Sequence, residues 1–223
     1  MTLSAKLSPV AAIAAFVTLT PTAHAETSLT IYNVTAAGAS DSVPFENDGT
    51  PNRPIGDHLG NTITFVGTAR YLTHVQVVFA AHGPVENDTY TLSLYRNDGK
   101  RDNLSGLSQP GTLIGTFQTV ASDKPVPGNH AYGVDWSFAP TLVPDTLTVV
   151  VSSSYSTITP GQFMGPFTVV TSVITGSALN TIWYGDGKPG HWAANDQWAI
   201  KDGARQNRFD MRFDALPTAK PSL

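Results

Sequence analysis

The sequence contains no cysteine. That excludes disulfides, thiolate metal sites, cysteine nucleophiles and redox motifs. Charge is scarce as well, with Asp, Glu, Lys and Arg together making up only 13% of the chain. No Lys/Arg cluster forms a stripe, so a nucleic-acid backbone finds no electrostatic footprint. Beyond residue 25 no apolar run approaches the roughly 20 residues a membrane-spanning helix needs. Good helix segments are missing too. Gly and Pro interrupt the chain at short intervals, and Thr, Val and Ser dominate between them.

The first residues show a different pattern. Met1 to Leu7 contains Lys6, and no acid precedes Glu26. An apolar run from Val10 to Leu19 follows, then Pro21 and the small-residue box Ala23-His24-Ala25. This order of charge, apolar run and cleavable box is that of a secretory signal peptide. The alternative is a buried helix of a cytosolic protein, and the A-x-A box favours the signal. Residues 1–25 are therefore expected to be removed, leaving 198 of the 223 residues. Lys6 goes with them, so 12 basic residues face 17 acidic ones, a net charge of about −5. The expected localisation is secreted, extracellular or periplasmic. A cysteine-free exported chain suits a bacterial source. Its length suits a single all-β domain over 26–215, with 216–223 as a loose polar tail.

Short alternating runs bounded by turn residues predict strands. The candidates are Leu29 to Tyr32, Thr62 to Val66, Leu72 to Ala80, Tyr90 to Tyr95, Leu113 to Val120 and Tyr132 to Phe138. Leu147 to Ser152, Val169 to Ile174, Thr181 to Tyr184, Trp198 to Ile200 and a final strand around Arg208 to Asp214 complete the set. Residues 36–60 read as a long loop. Because strand side chains alternate, Tyr90, Leu92 and Leu94 should face inward and Thr91 and Ser93 outward. Leu147 to Ser152 is apolar almost throughout, which predicts a central strand covered on both faces. In the last strand Phe209, Met211 and Phe213 point one way, and Arg208, Asp210, Arg212 and Asp214 the other. The expected fold is a two-sheet antiparallel β-sandwich, jelly-roll-like, of about ten or eleven strands.

Several segments then look familiar together. Gly56-Asp57 leads into Asn61-Thr62-Ile63-Thr64-Phe65, followed by Gly67-Thr68-Ala69-Arg70-Tyr71-Leu72-Thr73-His74-Val75-Gln76-Val77. Leu92-Ser93-Leu94-Tyr95, Pro110-Gly111-Thr112-Leu113-Ile114-Gly115-Thr116 and Val143-Pro144-Asp145-Thr146-Leu147-Thr148-Val149 come next. This order resembles bacterial exported β-sandwich proteins of the PEP-CTERM and choice-of-anchor type, here without the C-terminal anchor. The resemblance spans roughly residues 56–153 and the closing strand. It implies an extracellular or envelope-associated protein linked to exopolysaccharide, and it carries over no catalytic residues.

No catalytic, metal or cofactor motif stands out. The G-x-S-x-G turn of a nucleophilic serine is absent. The histidines His58, His74, His82, His130 and His191 show neither H-x-x-x-H nor H-x-H spacing, and polar surface positions are the preferred reading. The loop acids in Glu46-Asn47-Asp48-Gly49, Glu86-Asn87-Asp88, Asn97-Asp98-Gly99 and Asp186-Gly187 are oxygen donors of the kind calcium takes. They miss the regular loop spacing, and plain turns are preferred. Asp210 and Asp214 lie four residues apart, about 13 Å along a strand, too far for a glycosidase pair. They read as a solvated charge ladder with Arg212. Gly185-Asp186-Gly187-Lys188 lacks the length and the helix of a phosphate loop.

One segment is unusually dense. Residues 183–198 hold three of the four tryptophans, Trp183, Trp192 and Trp198, beside Tyr184, Asp186 and His191. One reading is an exposed platform: the rings cover a sugar's C–H face and the polar groups bond its hydroxyls. The other is that the indoles plug the end of the sandwich. Three functional classes follow. The first is an exported non-catalytic binding or surface-matrix module with a polysaccharide partner, the second a secreted hydrolase on a sandwich scaffold, the third a purely structural matrix component. No cofactor is expected.

Overall fold

β-branched and aromatic residues at alternate positions suit a pleated, half-buried surface. Here they build strands throughout. The computed structural model describes residues 27–34, 40–42, 58–82, 88–103, 105–120, 129–154, 163–169, 175–188, 190–195, 200–201, 204–205 and 208–218. The expected signal segment 1–25 and Trp198 lie outside them. The strands are β1 (Leu29–Val34), β2 (Ser40–Ser42), β3 (His58–Thr64), β4 (Tyr71–His82), β5 (Thr89–Tyr95), β6 (Leu113–Val120), β7 (Asn129–Leu142) and β8 (Thr146–Ser153). They continue with β9 (Phe163–Val169), β10 (Ser177–Gly185), β11 (Ala193–Asn195), β12 (Ile200–Lys201), β13 (Ala204–Arg205), β14 (Arg208–Phe209) and β15 (Met211–Leu216).

Thirteen of these form two antiparallel sheets. The seven-stranded sheet runs β1-β15-β4-β9-β14, with β2 added to β9 and β7 to β4. The six-stranded sheet runs β11-β10-β3-β8-β5-β6. β12 and β13 pair with each other. The all-β, two-sheet class expected from the sequence is the class observed. Strands of six residues or more match the sequence expectation in number. The additional ones are pieces of two or three residues, which alternation cannot reveal.

Some boundaries move. The expected loop over 36–60 contains β2, and its end already belongs to β3, where Gly60 and Asn61 pair with Val150 and Val149. The expected strand over 169–174 meets the described residues only at Val169, the last residue of β9. The closing segment is divided: Arg208 and Phe209 pair with β9, and Met211 onward pairs with β1 and β4. Leu216, expected in the tail, is the last residue of β15.

One main core lies between the sheets. Leu92, Leu94, Leu147, Val149, Val151 and Ile63 meet Val75, Val77, Phe79, Trp136 and Phe213. Aromatic contacts cross the gap, with Phe79 and Tyr90 at 4.9 Å between ring centres. The polar tips are matched as well. The hydroxyls of Tyr90 and Tyr132 are 2.7 Å apart, and the Trp136 indole N–H donates to the Tyr90 carbonyl at 3.2 Å. β8 is central, between β3 and β5, and buried along nearly its whole length, as its apolar run predicts.

Candidate functional site

The dense segment 183–192 is built on β10. β10 pairs with β3 on one side and with β11 on the other. Ile182 enters the main core, so Trp183 points to the opposite, outer face of the six-stranded sheet. There it belongs to a second apolar cluster with Val150, Tyr95, Trp192 and Ala194, and Leu107 packs against it. Gly60 lies between Trp183 on β10 and Val150 on β8 in one cross-strand row. A Cβ there would stand 3.0 Å from Val150 Cγ2 and 3.1 Å from Thr148 Cγ2, so the position has no room for a side chain.

The buried indole N–H is satisfied by a directed chain of hydroxyls. Trp183 Nε1 donates to Thr62 Oγ1 at 2.9 Å, and Thr62 and Thr148 share a 2.8 Å bond. Thr148 donates to Asn97 Oδ1 at 2.6 Å. A hydroxyl has one proton. Thr148 gives its proton to Asn97, so Thr62 must donate to Thr148 and accept from Trp183.

Trp192 is 4% exposed. Its ring meets Tyr95 edge-on at 5.7 Å. A Cβ at Gly185 would stand 3.0 Å from its benzo edge. Gln109 Nε2 donates to its backbone carbonyl at 2.8 Å, tying the 97–112 loop to it. The expected exposed platform is therefore not what Trp183 and Trp192 form: both rings are buried. The alternative also changes place, because they cover the outer face of a sheet, not the end of the sandwich. Hydrophobic burial drives this, since each large ring gains more by leaving water than by staying at a surface.

The polar members of the segment stay at the surface. Asp186 accepts from Lys188 Nζ at 3.0 Å, from the Lys188 backbone N–H at 3.1 Å and from His191 Nδ1 at 3.1 Å. The Lys188 side chain, then its backbone N–H and His191, hold the Asp186 carboxyl down to about 2. Gly187 and Gly190 turn the chain at φ values of 76° and 78°, which only glycine adopts without strain. Gly187 also sits against the His58 ring. Tyr184 is half-buried and packs against the main core, on the face opposite Trp183. Thus Trp183, Tyr184, Asp186, His191 and Trp192 come together on one hairpin and its loop: two indoles anchor it, and Asp186 and His191 are its exposed face.

A second cluster lies on the outer face of the seven-stranded sheet, where the sequence reading saw only surface residues. His74 on β4 stands between two carboxylates, with Nε2 2.9 Å from Asp135 on β7 and Nδ1 3.2 Å from Asp214 on β15. Gln76 Nε2 also donates to Asp135, at 3.1 Å. Thr30 Oγ1 and Arg212 Nε donate to Asp214 Oδ1 at 2.6 and 3.1 Å. Burial raises the Asp214 carboxyl, but these hydrogen bonds and the Arg212 charge outweigh it and hold it below its ordinary value. The solvated ladder expected over 208–214 is therefore corrected: Asp210 and Asp214 are 7% and 9% exposed.

A β-bulge creates this cluster. Thr73 is passed over in both ladders of β4. The extra residue reverses the alternation, so Leu72 and Val75 both face the core and His74 faces out. The signal was present in the sequence, as apolar spacing of three between Leu72 and Val75 followed by spacing of two to Val77 and Phe79.

The loop acids behave as turns where they are described. Asp98 accepts from the Thr112 backbone N–H at 2.6 Å and its hydroxyl at 2.8 Å, closing the 97–112 loop. Among the described residues no group of three His, Asp or Glu side chains is placed to hold a metal ion. No helix among them is long and apolar enough to cross a membrane. No family model, curated protein or solved structure gives a significant match to this chain.

Proposed function

We propose that the chain is an exported binding module of a bacterial surface or matrix, non-catalytic, with carbohydrate as its ligand class. The reading places binding on the loop that follows Tyr184. One observation carries it: Asp186, Lys188 and His191 converge on a single exposed carboxylate, on a loop pinned from below by two buried indoles. Such a loop is preorganised, so little ordering entropy is lost on binding. A carboxylate held ionised, flanked by an ammonium and an imidazole, offers acceptors and donors to neighbouring sugar hydroxyls.

The second cluster does not have the arrangement of a nucleophilic triad. A nucleophilic triad needs an imidazole with one nitrogen on an acid and the other on a hydroxyl. His74 has a carboxylate on each nitrogen. Binding to a panel of soluble polysaccharides tests the proposal. Wild type should bind at least one, and Asp186→Ala and His191→Ala should weaken that binding with little change in unfolding midpoint. Absence of binding across the panel would sink it.

A second reading, a self-associating matrix component, is favoured by β6. This strand, LIGTFQTV, has no charge and no proline, and it ends the six-stranded sheet with Leu113 and Val120 exposed. Edge strands usually carry charge or proline against edge-to-edge pairing. A monomer at all concentrations in sedimentation would remove that reading.

A further inference from the structure

We propose that the Asp135–His74–Asp214 bridge is a proton-dependent clasp on strand β7. β7 pairs with β4 alone among the described residues. It therefore depends on one ladder and on whatever side chains cross to it. His74 is such a crossing, since its ring reaches Asp135 on one flank and Asp214 on the other. The charged groups facing it are Asp135 from β7 and Asp214 and Arg212 from β15. Gln76, its neighbour on β4, adds a neutral donor to Asp135.

The proton count decides how the clasp works. An ionised carboxylate only accepts hydrogen bonds, and a neutral imidazole has one N–H to give. Only the imidazolium satisfies both aspartates together, with two charge-assisted bonds. When the ring loses its proton, one nitrogen lone pair faces a carboxylate lone pair and one bond becomes a repulsion. Asp214 keeps Thr30 and Arg212, so it is served without His74. Asp135 keeps only the Gln76 amide, and the flank on β7 is the one released. The clasp also stands immediately after the Thr73 bulge, where the β4–β7 ladder is interrupted between Leu72 and His74. The strand is held by the side chain where the backbone register fails.

Amide hydrogen exchange of residues 133–137 in the full chain, corrected for intrinsic rates, reads the clasp directly. It should be followed at about pH 5.5 and about pH 8.5. In wild type, protection should fall about tenfold or more on going to the higher pH, the worth of one hydrogen bond to a charged group. His74→Gln should show the low protection at both values, and Asp135→Asn should shrink the drop. Equal wild-type protection at the two values would overturn the proposal without any variant. So would persistence of the drop in His74→Gln, which would assign it to another group such as His130, the histidine of β7 itself.

Discussion

Trp183 and Val150 meet across Gly60, a residue that contributes only the absence of a side chain. The row β10–β3–β8 is large, small, large, and the methyl groups of β8 crowd the small position. A methyl group at Gly60 would stand 3.0 Å from Val150 Cγ2 and 3.1 Å from Thr148 Cγ2. Gly60→Ala should therefore destabilise the fold by about 1–3 kcal/mol through overpacking. Trp183→Ala, which opens a cavity at the same place, should lose about 3–5 kcal/mol. Urea unfolding followed by far-UV circular dichroism measures both. A neutral Trp183→Ala would mean that the indole is not the anchor of this hairpin.

The hydroxyl chain beneath that indole makes a second prediction. Thr62 accepts from Trp183 and donates to Thr148. Thr62→Val keeps the volume and breaks both bonds, leaving a buried N–H without an acceptor. Such a group costs about 1–3 kcal/mol. Thr62→Ser keeps the oxygen and should recover most of the loss. Equal stability of the valine and serine variants would show that the chain of hydroxyls contributes nothing beyond shape.

How much of this was legible beforehand depends on the length scale of the signal. Alternation over Tyr90–Tyr95 and the continuous run at Leu147 placed β5 and β8 correctly, because each strand's own residues record which faces are covered. The dense segment at 183–198 was also visible as a group, and its described part, up to Asn195, does come together. Its sense was not visible. Trp183 is covered by Tyr95 and Val150, from strands far away in sequence, and no local pattern carries that. The His74 cluster was hidden for a related reason. Asp135, Asp214 and Thr30 come from three other strands, and only the broken spacing between Leu72 and Val75 marks where the chain turns His74 outward. Strand pieces such as β2 and β14 are too short to show any period at all.

The acid limb of the stability curve follows from Asp214. Its folded carboxyl lies below its ordinary value, despite the burial that pulls it upward. A depressed folded value means that the unfolded chain takes up a proton first as pH falls. The stabilisation is therefore complete above the unfolded value of about 3.9 and is lost as pH drops through the folded one. Asp214→Asn should flatten this part of the curve, and Thr30→Val, which removes the 2.6 Å donor, should shift it toward higher pH. Thermal unfolding midpoints between about pH 2 and about pH 6 provide the check. An unchanged acid limb in Asp214→Asn would assign it to other carboxylates.

Gly111 provides the sharpest test of how the 97–112 loop supports the candidate site. Asp98 closes that loop by accepting two bonds from Thr112, and a Cβ at Gly111 would overlap the Asp98 carboxylate and the Gly99 amide. Backbone cannot move aside as a flexible side-chain end does, so Gly111→Ala must open the turn. Gln109 lies two residues before it and holds the Trp192 carbonyl. Opening the turn should release that carbonyl and loosen the loop carrying Asp186 and His191, at an overpacking cost of about 1–3 kcal/mol. Asp98→Ala removes only the carboxylate part of the clash and loses two bonds that an opened turn has already lost, so in a Gly111→Ala background it should add less than it does alone. Hydrogen exchange at residues 190–194, beside the unfolding midpoint, distinguishes a local from a global effect. If the exchange there is unaltered while the midpoint falls, the two loops are not mechanically joined, and preorganisation of the candidate site does not come from Gln109.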